Sequence, residues 1–220
     1  MEYNEAATDA ACDKMFKFTT WLTQHGAISD PRVQFPAIYK VGDNMVCGVR
    51  ALEDIQPYEA FLYIPNKLII SAEHAKQSEL APIFKNHDSL FVSNPYREYF
   101  TVLIFVLWEK LKGEDSFWHP YFEAVGELDD LPMHWSASQD WEKFDDQVLR
   151  ANFKESLALH QKDWESVMKI VKLYEDDYFP VEPTFEQFKW VTNMVSSRCF
   201  GHGLPTTMIT PLADMCNHSH

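Results

Sequence analysis

The strand-forming sequence of this chain is split by a long stretch of helix-forming sequence. Residues 33–41, 45–51 and 60–64 are short and rich in β-formers. Gly42-Asp43-Asn44 between the first two is a hairpin turn signal. Gln56-Pro57-Tyr58-Glu59, before the third, places a proline at a turn position. So few short strands cannot bury a face by themselves. Short apolar stretches resume only over residues 208–215, on either side of Pro211. The partners of the first strands are therefore expected after the helical block, which reads as an insertion. The expected fold class is α+β: a small antiparallel β region interrupted by a large helical insertion.

The helices announce themselves by spacing and by their ends. Residues 8–25 predict a helix that Thr8 or Asp9 can cap, with Met15, Phe18, Trp21 and Leu22 on one face and Gly26 as its stop. Ser71 opens a short helix through Ala72-Glu73-His74-Ala75. Asn94-Pro95 is a start signal and Gly113 the matching stop. The segment between them is apolar nearly all round, which predicts a buried central helix. Ser116-Phe117-Trp118-His119-Pro120-Tyr121 reads as an aromatic loop. A further helix is expected to start near Ser136 to Asp140. A long amphipathic one follows, with Leu157, His160, Trp164, Val167, Val171 and Tyr174 on one face. Pro180 and Pro183 break it. Thr184 and Gln187 form a capping box for a last helix carrying Phe188, Trp190, Val191 and Val195. There is no internal repeat.

Composition narrows the function classes. With 19 basic and 33 acidic residues the net charge is −14. Such a surface repels phosphate backbones, which argues against nucleic-acid binding. It attracts basic protein segments, although an acidic surface also simply keeps a protein soluble. The longest apolar run, near residues 100–108, is too short to span a bilayer, so no membrane partner is expected. The beginning of the chain has acids and no basic, apolar leader pattern. Cys12, Cys47, Cys199 and Cys216 form no C-x-x-C pair. Reduced thiols and a cytoplasmic or nuclear location are expected.

Four segments carry the most specific wording. The first is Val46-Cys47-Gly48-Val49-Arg50-Ala51-Leu52-Glu53-Asp54-Ile55 with Phe61-Leu62-Tyr63-Ile64-Pro65. The second is Ala72-Glu73-His74-Ala75-Lys76-Gln77-Ser78 with Leu80-Ala81-Pro82. The third is Leu107-Trp108-Glu109-Lys110-Leu111 leading to Ser116-Phe117-Trp118-His119-Pro120-Tyr121. The fourth is Phe188-Lys189-Trp190 and Val195-Ser196-Ser197-Arg198, then Pro211-Leu212-Ala213-Asp214-Met215-Cys216-Asn217-His218-Ser219. In this order they resemble the split SET-domain protein N-methyltransferase family, of the Rubisco large-subunit lysine methyltransferase and actin-histidine methyltransferase type. The last segment is similar to the family's "W … S-R … P-x-x-D-x-x-N-H" pattern. Val46 stands where the family usually has the first of two glycines.

The resemblance implies an S-adenosylmethionine site. It assigns Cys47 and Gly48 to a strand lying against the cofactor, where glycine permits close backbone approach. It sets Asn217 and His218 beside the cofactor, Arg198 near the cofactor or substrate channel, and Asp214 in support of the loop. The third segment has packing as its implied role. Taken singly, Asn217-His218 also suits a turn, Arg198 a helix C-terminus, and Asp214 a cap or Asx turn. The implied division is residues 1–75 as N-terminal helix and SET strands, 76–200 as helical insertion, and 201–220 as the start of the C-terminal SET segment.

The implied activity is methylation of a lysine, or histidine, of a protein substrate. The family's tyrosine segment follows the N-H motif, and none of the nine tyrosines here matches it. No catalytic residue is therefore assigned, and the expectation is of a partial form that cannot methylate alone, which a second chain could complete. The alternative is a catalytically inactive SET-like subunit or interaction module. A zinc reading of Cys199, His202, Cys216, His218 and His220 fits poorly, since structural zinc favours paired two-residue knuckles. No metal is assigned. No nucleophile elbow, P-loop or dinucleotide fingerprint appears.

Overall fold

Three small antiparallel sheets and a block of helices make up a computed structural model that describes residues 2–9, 13–87, 97–128, 146–201 and 203–217. β1 (Glu2–Tyr3), β3 (Val33–Val41) and β4 (Asn44–Ala51) form the first sheet, in the order β1-β3-β4. The predicted hairpin is present. Gly42 adopts φ 61°, and Val41 pairs with Asn44 across a two-residue turn. A register shift between Gln34 and Ala37 sets Gly48 opposite the fully buried Ala37.

The third β segment behaves differently from expectation. Only Leu62–Tyr63 (β5) is a strand, and it pairs with β2 (Ile28–Ser29), away from the hairpin. Arg32 supplies the reason. Its guanidinium bonds Asp30 and Glu59, each at 2.8 Å, and pins the loop that follows β4. Within that loop Glu59 N donates to Gln56 O, and Tyr58 takes φ 70° just after Pro57, as a type II turn requires. The chain is thereby aimed back at Ile28–Ser29.

The third sheet joins sequence from both sides of the helical block. β6 (Ile70–Ser71) pairs with β8 (Met208–Ile209), which also pairs with β7 (Cys199–Phe200). Late sequence does return to pair with early sequence, but through β6, which is not among the expected strands; β3, β4 and β5 find their partners ahead of the helical block. Ile70 and Ile209 stand opposite each other, both fully buried.

The first predicted helix is two helices among the described residues, α1 (Glu5–Asp9) and α2 (Asp13–Gln24). Thr8 does not cap α2. Its hydroxyl donates to Asn4 O and accepts from Ile38 N, tying α1 to β3. Phe18, Trp21 and Leu22 bury the expected face of α2. Cys12 lies outside the described residues. Ser71 caps α3 (Ala72–Gln77) through His74 N, as predicted, and α4 (Ala81–Asn86) follows.

α5 (Arg97–Leu111) is the central helix. Val102 to Trp108 are all buried, and it packs against α3, α6 (His119–Val125) and α8 (Phe185–Arg198). Its predicted start at Asn94-Pro95 lies outside the described residues. The aromatic stretch is partly helical: α6 starts at His119, because Pro120 suits a first turn. Asp146 caps α7 (Gln147–Leu173), whose Val167, Ile170 and Val171 are buried. The helix expected near Ser136 to Asp140 also lies outside the described residues. Thr184 and Gln187 make the predicted capping box of α8.

Buried polar groups bind the aromatic junction together. Glu109 accepts from Ser116 Oγ and from Lys112 Nζ, both at 2.6 Å. The indole N–H groups of Trp108, Trp118 and Trp190 donate to Tyr178 O, Leu68 O and Gly126 O. Each indole thereby buries its ring and satisfies a backbone carbonyl at once. Among the described residues no helix is long and apolar enough to cross a membrane.

Candidate functional site

Arg198 closes the last turn of α8, where its side chain is held by the loop that follows β8. That loop begins with Pro211 and Leu212. Leu212 is buried at φ 75° and ψ −46°, a strained conformation for a branched side chain. A short 3-10 turn, Ala213–Met215, comes next and presents Asp214.

The Asp214 carboxylate is fully buried and carries two strong contacts on Oδ2. Arg198 Nη1 lies 3.0 Å away, and the Tyr121 hydroxyl donates to it at 2.5 Å. Arg198 Nη1 also reaches the Asp214 carbonyl and the Met215 sulfur, both at 3.4 Å. Among the described residues Asp214 Oδ1 has no hydrogen-bond partner. Burial pushes the Asp214 carboxyl above the usual carboxylate range, while Arg198 and then Tyr121 pull it back. Burial also lifts the Tyr121 phenol well above its ordinary value, as does the neighbouring Asp214 charge. Tyr121 therefore stays protonated and can donate.

The same loop also meets β4. A Cβ built on Gly48 would lie 2.8 Å from Asn217 Cγ, 3.1 Å from Oδ1 and closer still to Nδ2. Glycine leaves room there for the Asn217 side chain, which lies directly on the strand backbone. Cys47 occupies the preceding position of β4, opposite Ile38. Strand alternation turns its side chain to the other face from Gly48.

A pocket of about 360 Å³ opens between the end of α8 and the loop that carries Asp214, and Asn217 links its lining to Gly48. Arg198 and Cys199 line one side, and Asp214, Cys216 and Asn217 the other. Burial, then the Asp214 charge, pushes the Cys199 thiol up to about 12 and raises that of Cys216. Both are thiols at neutral pH and so are poor nucleophiles.

The structure thus gathers Gly48, Arg198, Asp214 and Asn217 into one place, with Cys47 adjacent in the strand. His218, like His202 and His220 of the zinc reading, lies outside the described residues. Tyr121 is the residue that motif reading missed, since its segment was assigned to packing. Its signal was a phenol hydroxyl in an otherwise apolar junction, which needs a partner once the ring is buried.

No family model matches the chain. It is 27% identical over 186 residues to actin-histidine N-methyltransferase of Canis lupus familiaris, an alignment covering 79% of this chain and 30% of that protein. It is 24% identical over 203 residues to the chloroplastic ribulose-1,5-bisphosphate carboxylase/oxygenase large-subunit N-methyltransferase of Pisum sativum, covering 92% and 38%. The chain therefore spans about a third of the length of these curated relatives. The solved SET domain of LSMT bound to MeLysine and AdoHcy superposes with a TM-score of 0.77 at 22% identity, over 94% of this chain and 45% of that one. Rubisco LSMT bound to AdoMet gives a TM-score of 0.74 at 23% identity, over 95% and 45%.

Proposed function

We propose, for a chain that has the SET-domain fold and is a relative of the SET-type methyltransferases, that it binds S-adenosylmethionine and serves N-methylation of a lysine or histidine in a protein substrate. The observation that carries this is the meeting of Gly48 with Asn217 beside the Arg198–Asp214 pair. The four residues come from opposite ends of the chain.

The residues fit the cofactor. Gly48 leaves room for the Asn217 side chain on the strand backbone, and the pocket that Asn217 lines carries the Arg198 cation. Cys47, Gly48, Arg198, Asp214, Asn217 and His218 are the proposed binding residues. Cys47 takes part through its backbone, since its side chain faces away. When bound, the cofactor supplies an electrophilic sulfonium methyl group. The chain's own contribution is to hold Arg198 through Asp214 and to keep competing nucleophiles silent. Cys199 and Cys216 line the pocket as thiols, so neither competes with a substrate nitrogen for the methyl group.

Two further facts support a protein substrate. The actin-histidine and Rubisco large-subunit enzymes are named for protein targets. The net charge of −14 favours a basic segment around the acceptor. The pairing of β6 with β8 supports the division into residues 1–75, 76–200 and 201–220, with the middle part as an insertion.

Val46 favours a second reading, in which the chain is a SET-like module without catalysis. It stands where the resembled family usually has a glycine. Calorimetric titration of the full gene product with S-adenosylhomocysteine tests both, together with transfer of labelled methyl to protein substrates. Saturable binding with transfer is expected. Absence of binding would sink the cofactor reading, and binding without transfer would select the module.

A further inference from the structure

We infer that Tyr121 is a positioning residue for the loop that carries Asn217. Its hydroxyl acts through Asp214 to fix the Ala213–Met215 turn and hence the seat of Asn217 on Gly48. The binding arm of this inference rests on the cofactor reading, and its structural arm rests on the geometry alone.

The Tyr121 ring is fully buried and packs against Phe18, 5.7 Å between centroids, and Phe122, 6.0 Å away. A phenylalanine would serve that packing equally. The hydroxyl is surplus to the core, and it donates at 2.5 Å to Asp214 Oδ2. Oδ2 also receives Arg198, whereas Oδ1 has no partner among the described residues. The carboxylate is therefore clamped from one oxygen by two elements, α6 and α8. The clamp stands next to the strained backbone of Leu212, two positions before Asp214. Such a conformation persists only where surrounding contacts over-determine it. Asn217 is three positions beyond Asp214, and its side chain fits Gly48 with no space to spare. A loosened turn would unseat it.

The test uses the full gene product and two substitutions, Tyr121→Phe and Asp214→Asn. Amide hydrogen exchange over residues 212–217 should quicken in Tyr121→Phe, while α2 and α5 keep the wild-type rate. The dissociation constant for S-adenosylhomocysteine should rise about tenfold, the scale of a lost hydrogen bond to a charged group. The double variant should lose no more than Asp214→Asn alone, because the hydroxyl acts through that carboxylate. Unchanged exchange, exchange that quickens equally in α2 and α5, or additive losses would overturn the inference. So would a Tyr121→Phe protein that failed to fold, since only the ring is assigned to the core. If wild-type protein shows no affinity for S-adenosylhomocysteine, the cofactor reading fails, and the exchange measurement still judges Tyr121.

Discussion

Replacing Gly48 with alanine separates the needs of the strand from the needs of the site. The new Cβ would sit 2.8 Å from Asn217 Cγ and 3.1 Å from Oδ1, so something must move. The strand backbone is extended and accepts alanine, and fewer unfolded conformations give alanine an advantage of about 0.4–1 kcal/mol. The atoms in the way belong to an exposed side chain that ends three bonds from its own backbone. Asn217 can therefore swing aside without leaving a buried cavity. The expected stability change is within about 1 kcal/mol of zero, since a surface rearrangement of this kind is small. The site bears the loss instead: the methyl occupies the backbone face and Asn217 leaves its seat. S-adenosylhomocysteine affinity should fall at least tenfold, or about 1.4 kcal/mol. Chemical denaturation and calorimetry on the same preparation measure the two effects. Unchanged affinity would refute the reasoning. So would a stability loss of several kcal/mol that Asn217→Ala fails to relieve in the double variant.

Removing Arg198 as Arg198→Ala strands the Asp214 carboxylate with Tyr121 alone and should cost about 3 kcal/mol, as for a broken buried pair. Burial already raises the Asp214 carboxyl, and losing Arg198 raises it further. A raised group stabilises below its unfolded value and loses that contribution as pH rises through the folded one. The deficit, read from urea unfolding, should therefore shrink from about pH 7 to about pH 4; a deficit that grows in acid would contradict the assignment. Asp30 is the opposite case, held down at about 2 chiefly by its hydrogen bond from the Arg32 side chain. Its stabilising contribution is present above the ordinary 3.8 and is lost as pH falls through about 2. Asp30→Asn should lower the denaturation midpoint at neutral pH, and the difference should vanish in strong acid.

The periodic signals served the helices well where burial and capping agreed. Thr184-x-x-Gln187 and the all-round apolar stretch of α5 needed only local rules. Thr8 shows the limit, because a hydroxyl suited to capping was claimed by Ile38 N, thirty positions away. Leu62–Tyr63 shows another, since its pairing followed from Arg32 gripping Glu59. At the site, Gly48, Arg198, Asp214 and Asn217 were readable from motif order. Their contact partners were not. The close approach that Gly48 permits comes, among the described residues, from Asn217 itself. Tyr121 was seen as an aromatic, and its hydroxyl found Asp214 only through the fold.

The pairing of β6 with β8 sets a timetable for the molecule. Ile70 leaves the ribosome long before Ile209, its partner across the sheet. Gly48 waits longer still for Asn217. At ordinary synthesis rates the delay is roughly 10–30 seconds, ample time for local helices to form and for unpaired strand edges to meet other chains. The helical block is thus a closure whose completion delivers Asn217 to Gly48. Partially synthesised chains lack that contact, so a ligand held against both residues would select only molecules in which the long closure has been achieved.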